Sequence, residues 1–208
     1  MIDIKASFKD EGSVQLRGKV ICGDNVIIGS NVIFEGEVML GSNVVIGDNV
    51  KIISSSISDK SEIKDFSLIE ESDIGFESFI GPFARLRPKT KIGDNCQIGN
   101  FVEIKDSKIG DGCRINHMAF IGDSEIEENV TIGAGAITCN HDGVKTNNTL
   151  IKKNAYIGSN VNLIAPIKVF ENAVIGSGST VRKEVPPDKL TIARVKQKVV
   201  ESWSGFKK

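Results

Sequence analysis

From Ile28 onward an aliphatic or aromatic residue returns every six positions. The first run is Ile28, Phe34, Leu40, Ile46 and Ile52. Five-residue steps then open new runs at Ile57, Ile74, Ile109 and Ile126. One polar interruption follows, and the period resumes at Ile151, Ile157, Leu163, Val169, Ile175 and Val181. The residue two places before each of these large residues is small: Val26, Val32 and Val38 early, Ser55, Ser61 and Ser67 next, Cys96 and Cys113 later. Ile167 is the one large exception. In a short strand, positions two apart face the same side. Each six-residue unit therefore turns one large and one small side chain inward. The polar positions between them form corners, and Gly often follows the large residue, as at Gly29, Gly47, Gly81, Gly99, Gly158 and Gly176. Gly suits a tight corner.

This pattern predicts an all-β chain: a parallel β-helix built as a hexapeptide-repeat solenoid, three units to a triangular coil, coils stacked about 4.8 Å apart. An ordinary antiparallel domain would not keep a six-residue register for this length. Prisms of this kind are usually left-handed, against the general crossover rule. That handedness is a property of such folds and does not follow from the spacing. The expected organisation is a lead-in or linker remnant over 1–17, the solenoid over 18–185 with a loop at 139–148, and a short C-terminal tail over 186–208. The loop is polar and carries the turn pair Asp142-Gly143, and loops thrown out of a rigid repeat often carry function. The tail is mixed apolar and basic and contains Trp203, the only tryptophan. It either caps the last coil or reaches a neighbouring subunit. Flat faces and open ends need covering, so a symmetric oligomer is expected.

Composition narrows the functional classes. The net charge of −1 over 208 residues gives no field for nucleic acid or for a membrane surface. No apolar start reads as a signal peptide, because Asp3, Lys5 and Lys9 interrupt it. No run is long enough to span a bilayer. The four cysteines lack CxxC spacing, and Cys96 and Cys113 fall on the small inward track. A cytoplasmic protein with reduced thiols is the expectation.

Few residues can carry chemistry. There are two histidines, His117 and His141. His117 lies just past Ile115, where a corner side chain faces outward. A neutral imidazole there suits a base that strips a proton from an amine attacking a thioester. It equally suits a surface histidine bonded to a backbone carbonyl. Arg87 and Lys105 each follow an inward residue and lie one coil apart on the same face. Two such cations can clamp a phosphate. Arg85 and Glu103 stack one step earlier, and Glu103 neutralising Arg85 would make the set a plain surface ladder. Asp123, Glu125, Glu127 and Glu128 read as a solvated acidic edge. Ile132-Gly-Ala-Gly-Ala136 is not a phosphate loop, because it lacks the strand-to-helix context. A metal hydratase on this fold would need about three histidines, and the chain has two.

Four segments carry a resemblance: Ile80-Gly-Pro-Phe-Ala-Arg-Leu-Arg-Pro88, Gly99-Asn-Phe-Val-Glu-Ile-Lys105, Asn129-Val-Thr-Ile-Gly-Ala-Gly-Ala-Ile-Thr-Cys-Asn140 with Asp142-Gly143, and Ile192-Ala-Arg-Val195. In order and spacing they resemble the acetyltransferase domain of bacterial bifunctional N-acetylglucosamine-1-phosphate uridyltransferase/glucosamine-1-phosphate acetyltransferase, a hexapeptide-repeat acyltransferase family. The nucleotidyltransferase domain of that family, with its metal site, is absent from these 208 residues. The chain then reads as a fragment of a bifunctional enzyme or as a free-standing acetyltransferase.

The resemblance implies a homotrimer with acetyl-CoA in clefts between subunits and no metal in this domain. It implies transfer of acetyl to the amine of an amino-sugar phosphate, glucosamine 1-phosphate giving N-acetylglucosamine 1-phosphate for UDP-N-acetylglucosamine synthesis. By position, His117 matches the general base and Glu103 an acidic site near the reaction. Arg87 and Lys105 match the sugar-phosphate clamp, and Asn140 a residue on the sugar. Ala134, Ser159, Ser177 and Arg194 match the CoA cleft. The chain departs at Phe120 and His141, where the family usually has Tyr, at Thr131, where it has Asn, and at Thr146, where it has Lys. Lys145 beside Thr146 can supply that cation. The usual Pro after Arg-Val is Lys196. A missing hydrogen bond to a charged group costs roughly 1.5–3 kcal/mol, enough to weaken or redirect acceptor binding. Two other readings stay open: an acetyltransferase for a different amino sugar used in a surface polysaccharide, and a non-catalytic trimeric scaffold that holds a nucleotidyltransferase.

Overall fold

The computed structural model describes residues 6–199; Trp203 and the end of the tail lie outside them. The chain is a left-handed parallel β-helix, and its parallel coils are those the six-residue period predicts. Its three flat faces follow one another round each coil. On face one an eleven-strand parallel ladder stacks Ile28, Ile46, Ile63, Ile80, Ile98, Ile115, Ile132, Ile157 and Ile175 in register. Face two stacks Phe34, Ile52, Ile69, Leu86, Ile104 and Ile121. Face three stacks Leu40, Ile57, Ile74, Ile92, Ile109, Ile126, Ile151 and Val169. Every one of these side chains is buried, and so is the small residue two places before it.

The inward serines explain how a narrow core tolerates hydroxyls. Ser72 donates to the carbonyl of Arg87 at 3.2 Å and Ser78 to that of Gly93 at 2.9 Å. Ser78 Oγ also accepts from Cys96 N–H of the coil above at 2.9 Å, and Ser72 N–H donates to Ser55 Oγ of the coil below at 3.1 Å. These serines are thereby paired, whereas the buried Thr149 Oγ1 has no partner among the described residues. Cys96 and Cys113 sit in the same track, as expected. Burial pushes their thiols up, to about 11 and about 12. Because the thiolate is the reactive form, both are expected to resist iodoacetamide at pH 8 in the folded protein and to label fully in urea, read by intact mass.

Except at Gly81, which holds φ 94°, the glycine after the large residue has a different cause from the one the sequence suggests. The left-handed corner residue is two places further on, at Asn31, Asn43 and Asn49, with φ of 57°, 59° and 58°. Asn tolerates that region through its short polar side chain. The glycine itself is needed for close approach between coils. A Cβ on Gly29 would lie 2.6 Å from the carbonyl carbon of Gly47, and one on Gly158 would lie 2.6 Å from Ile175 O and Ser177 N.

Coiled backbone also runs outside the 18–185 span. Ala6–Phe8 pairs with Val26–Ile28, and Leu190–Thr191 pairs with Val174–Ile175. Gln15–Cys22 and Ile33–Leu40 run unbroken round the corner from face two to face three. Gly36 makes that bend at φ 72°. The interruption is an excursion between Asn140 and Thr149, replacing one corner. A buried Thr138 takes the inward place just before it, its Oγ1 accepting from Gly122 N–H at 2.8 Å. No helix among the described residues is long and apolar enough to cross a membrane.

Candidate functional site

His117 ends the strand Arg114–His117 at the corner between faces one and two, and it is exposed. Its Nδ1 lies 2.7 Å from Asn100 Oδ1, directly below it in register. Asn100 Oδ1 can only accept, so the ring proton sits on Nδ1. In the neutral ring Nε2 then carries the lone pair, and it has no bonded partner among the described residues.

The same corner position recurs in each coil above. Gly135 N–H donates to Met118 O at 3.0 Å, Asn160 N–H to Ala134 O at 2.8 Å, and Gly178 N–H to Ser159 O at 2.8 Å. Ser159 N–H donates to Ser177 Oγ at 3.1 Å, and Arg194 Nη1 donates to Ser177 O at 2.8 Å. His117, Ala134, Ser159, Ser177 and Arg194 therefore form one column along a single prism edge. Four coil steps of about 4.8 Å make it about 19 Å long. Below it, the edge turns apolar: Phe66, Phe83 and Phe101 stack with ring centroids 4.9 and 5.4 Å apart. All three rings and Met118 are exposed and hold positive φ.

Round the corner, face two carries the charged set. Glu103 and Lys105 flank the buried Ile104, and Arg87 follows the buried Leu86 one coil below. Arg85 lies level with Glu103, but the ion pair forms with Arg87, whose Nη1 is 3.0 Å from Glu103 Oε1. The alternative of a plain Arg85–Glu103 ladder is thus replaced by a pair between Arg87 and Glu103. Lys105 Nζ lies 3.6 Å from Asp123 Oδ2, and Asn140 Nδ2 donates to the same oxygen. The cluster holds two cations and two carboxylates. Phe120 stands one coil above Glu103 and leans over Gly122, where a Cβ would lie 2.9 Å from Phe120 Cζ.

Asp123 is the residue that the sequence left unmarked. Its acidic neighbours give it the look of a solvated edge, yet its side chain is only 11% exposed. Glu125 is exposed as expected. Glu127 is half-buried and paired: the Lys152 ammonium beside it holds its carboxyl below the usual range. Thr131 falls elsewhere. It lies on face one, level with Arg114 and Tyr156, on the other side of the corner from Glu103 and Phe120.

The loop folds on itself. His141 and Thr146 form an antiparallel bridge, and His141 Nδ1 accepts from Gly143 N–H at 3.0 Å. Asp142 accepts from the N–H groups of Val144 and Lys145, each at 2.9 Å, and from Asn147 Nδ2 at 3.0 Å. Those bonds, that of Lys145 foremost, hold its carboxyl well below the usual carboxylate range. Lys145 itself is exposed on the loop. Beyond Asp123, on the face-three side, a groove of about 480 Å³ is lined by Lys89, Lys91, Asp106, Lys108 and Asn148 among others. No three His, Cys, Asp or Glu side chains among the described residues are grouped to hold a metal ion.

Comparisons with known proteins bear out the resemblance drawn from the motifs. A family model described as the GMPPB C-terminal domain matches residues 16–90. The bifunctional protein GlmU of Thermodesulfovibrio yellowstonii is 48% identical over 125 residues, 60% of this chain and 28% of the relative. That of Legionella pneumophila subsp. pneumophila is 43% identical over 120 residues, 58% of this chain and 26% of the relative. The match thus spans little more than a quarter of these relatives' length. Among solved structures, the UDP-N-acetylglucosamine acyltransferase of Francisella novicida superposes with a TM-score of 0.58 at 20% identity, over 93% of this chain and 67% of that one. A mutant of the perosamine N-acetyltransferase of Caulobacter crescentus, in complex with CoA and GDP-perosamine, gives 0.50 at 22% identity over 58% and 57%. These two likenesses concern the fold.

Proposed function

We propose that this chain is an acetyl-CoA-dependent N-acetyltransferase whose acceptor is an amino-sugar phosphate, glucosamine 1-phosphate, giving N-acetylglucosamine 1-phosphate for UDP-N-acetylglucosamine synthesis. The observation that carries the reading is His117. Its tautomer is set by Asn100, it stands at the foot of the Ala134–Arg194 column, and one corner separates it from the Arg87, Glu103, Lys105 and Asn140 cluster. The relatives named GlmU support the reaction class.

In this mechanism the pantetheine arm lies along the edge column, with the thioester beside His117. Arg87 and Lys105 hold the acceptor phosphate, Asn140 and Phe120 face the sugar, and Lys145 closes over it from the loop. Glu103 meets the acceptor's ammonium and draws it into place, and the ammonium loses one proton to water to give the free amine. His117 Nε2 takes the second proton as the amine nitrogen bonds to the carbonyl carbon. The tetrahedral oxyanion is held by backbone N–H groups at the corner. Collapse breaks the C–S bond, and the leaving CoA thiolate takes the proton held on His117. Thr131, on face one, meets the acceptor only if a neighbouring subunit's face two lies against it.

A homotrimer fits the apolar edge of Phe66, Phe83, Phe101 and Met118, which a second copy would cover. A nucleotidyltransferase domain or protein is the proposed partner, since the relatives are bifunctional and longer. Release of free CoA with glucosamine 1-phosphate tests the reading. Brisk release is expected. No release with that sugar, together with a rise in melting temperature on adding acetyl-CoA, would move the acceptor to another amino sugar. Neither effect would leave the scaffold reading.

A further inference from the structure

Asp123 is outside every set the sequence marks for chemistry, yet it joins the parts of the face-two cluster. Its Oδ2 lies 3.6 Å from Lys105 Nζ and also accepts from Asn140 Nδ2. Its backbone N–H donates to Lys105 O at 3.0 Å, and its carbonyl accepts from Thr149 N–H at 3.2 Å. Asn140 and Thr149 are the two feet of the excursion loop. The nearly buried carboxylate is therefore fastened to Lys105 of the coil below and to the first foot of the loop, Asn140, while the backbone carbonyl of the same residue holds the second foot, Thr149. Gly122 leaves the room for this, since a Cβ there would lie 2.6 Å from Asn140 Nδ2.

The two contacts on Oδ2 are unequal. A charge-assisted N–H···O bond is about 2.7–2.9 Å long, so at 3.6 Å Lys105 is held by charge alone. Asn140 is within bonding distance of the same oxygen. An arriving anion can thus take the ammonium while Asp123 keeps its bond to Asn140. The Arg87–Glu103 pair at 3.0 Å is a direct bond by contrast.

We infer that Asp123 is a positioning residue of the acceptor site, holding Lys105 in reach of an anionic acceptor and tying that lysine to the loop that carries Asn140 and Lys145. The identity of the acceptor rests on the function proposed above; the tie to the loop does not. Two residues placed at separate points of the sequence, Lys105 and Lys145, then act on one ligand because the carboxylate beside Lys105 also anchors Asn140, the start of the loop that carries Lys145. The loss of a fixed cation here should fall on the acceptor and leave the edge column alone.

The test uses the full chain with Asp123→Asn, Asp123→Glu and Asn140→Ala, and melting temperature checks that each is folded. In turnover assays Asp123→Asn is expected to raise KM for glucosamine 1-phosphate about tenfold, with KM for acetyl-CoA unchanged. Asp123→Glu should restore part of the loss. The Asp123→Asn/Lys105→Met double variant should be no worse than Lys105→Met alone. Limited trypsin digestion, read by mass at the Lys145–Thr146 bond, reports the loop without any turnover. Cleavage should speed up several-fold in both Asp123→Asn and Asn140→Ala. An unchanged acceptor KM, an equal rise in KM for acetyl-CoA, or unchanged cleavage at Lys145 would overturn the inference. If the wild-type chain turns over no amino-sugar phosphate, the proposed acceptor fails by itself, and cleavage in Asp123→Asn still decides whether Asp123 holds the loop.

Discussion

His117→Ala is expected to lower kcat by about 10²–10⁴-fold, the usual worth of a positioned general base, and to leave the melting temperature unchanged. The side chain is exposed and its bond is to Asn100, so its loss removes no core packing. Because the proton moves only as the amine attacks, kcat and kcat/KM should fall together, the mark of an interaction made in the transition state. Asn100→Ala keeps the imidazole but removes the acceptor that fixes the Nδ1 proton. It should give a smaller loss in the same direction. The measurement is initial-rate release of CoA thiol across acetyl-CoA and acceptor concentrations. Near-normal turnover in His117→Ala would end the general-base role and return the histidine to a surface residue.

The contrast between His117 and Asp123 shows what the sequence makes legible. The period of six places every inward residue, and a residue two places past Ile115 must then stand on an outward corner. The edge column of Ala134, Ser159 and Ser177 follows from the same arithmetic, since each lies two places past its own inward residue. Pairing between side chains is less legible. Register sets Glu103 level with Arg85, but a long guanidinium reaches diagonally, so Arg87 makes the bond. Asp123 looked solvated because its neighbours Glu125, Glu127 and Glu128 are acidic. What buries it is the return of the loop at Asn140 and Thr149, a closure no repeat encodes. The chain at 6–8 and 15–17 falls outside the expected solenoid because its inward residues, Phe8 and Leu16, are only partly buried end pieces. The glycine spacing is legible but its cause is not: coils pressed together at Gly29 and Gly158 exclude a Cβ, whereas the left-handed turn falls mostly to residues further on, such as Asn31 and Phe83.

Ile104→Ala should cost about 2–5 kcal/mol, the range for deleting a fully buried aliphatic side chain. Ile104 is 0% exposed, between Leu86 below and Ile121 above. The loss is a large share of the about 5–15 kcal/mol that holds a typical domain together. At about 2–4 °C per kcal/mol for a chain of this size, the melting temperature should fall by about 4–20 °C. Ile46→Ala removes an equally buried residue three coils lower on face one and should cost a similar amount. The two should differ in function. Glu103 and Lys105 flank Ile104, so a cavity there loosens the strand that sets both outward side chains. In a solenoid each coil touches only its neighbours, so a cavity at Ile46 should not reach them. At a temperature where both variants remain folded, Ile104→Ala should raise KM for the acceptor, and Ile46→Ala should leave it unchanged. Equal acceptor KM in the two variants, at matched loss of stability, would mean that the face-two charges are positioned by something other than the coil beneath them.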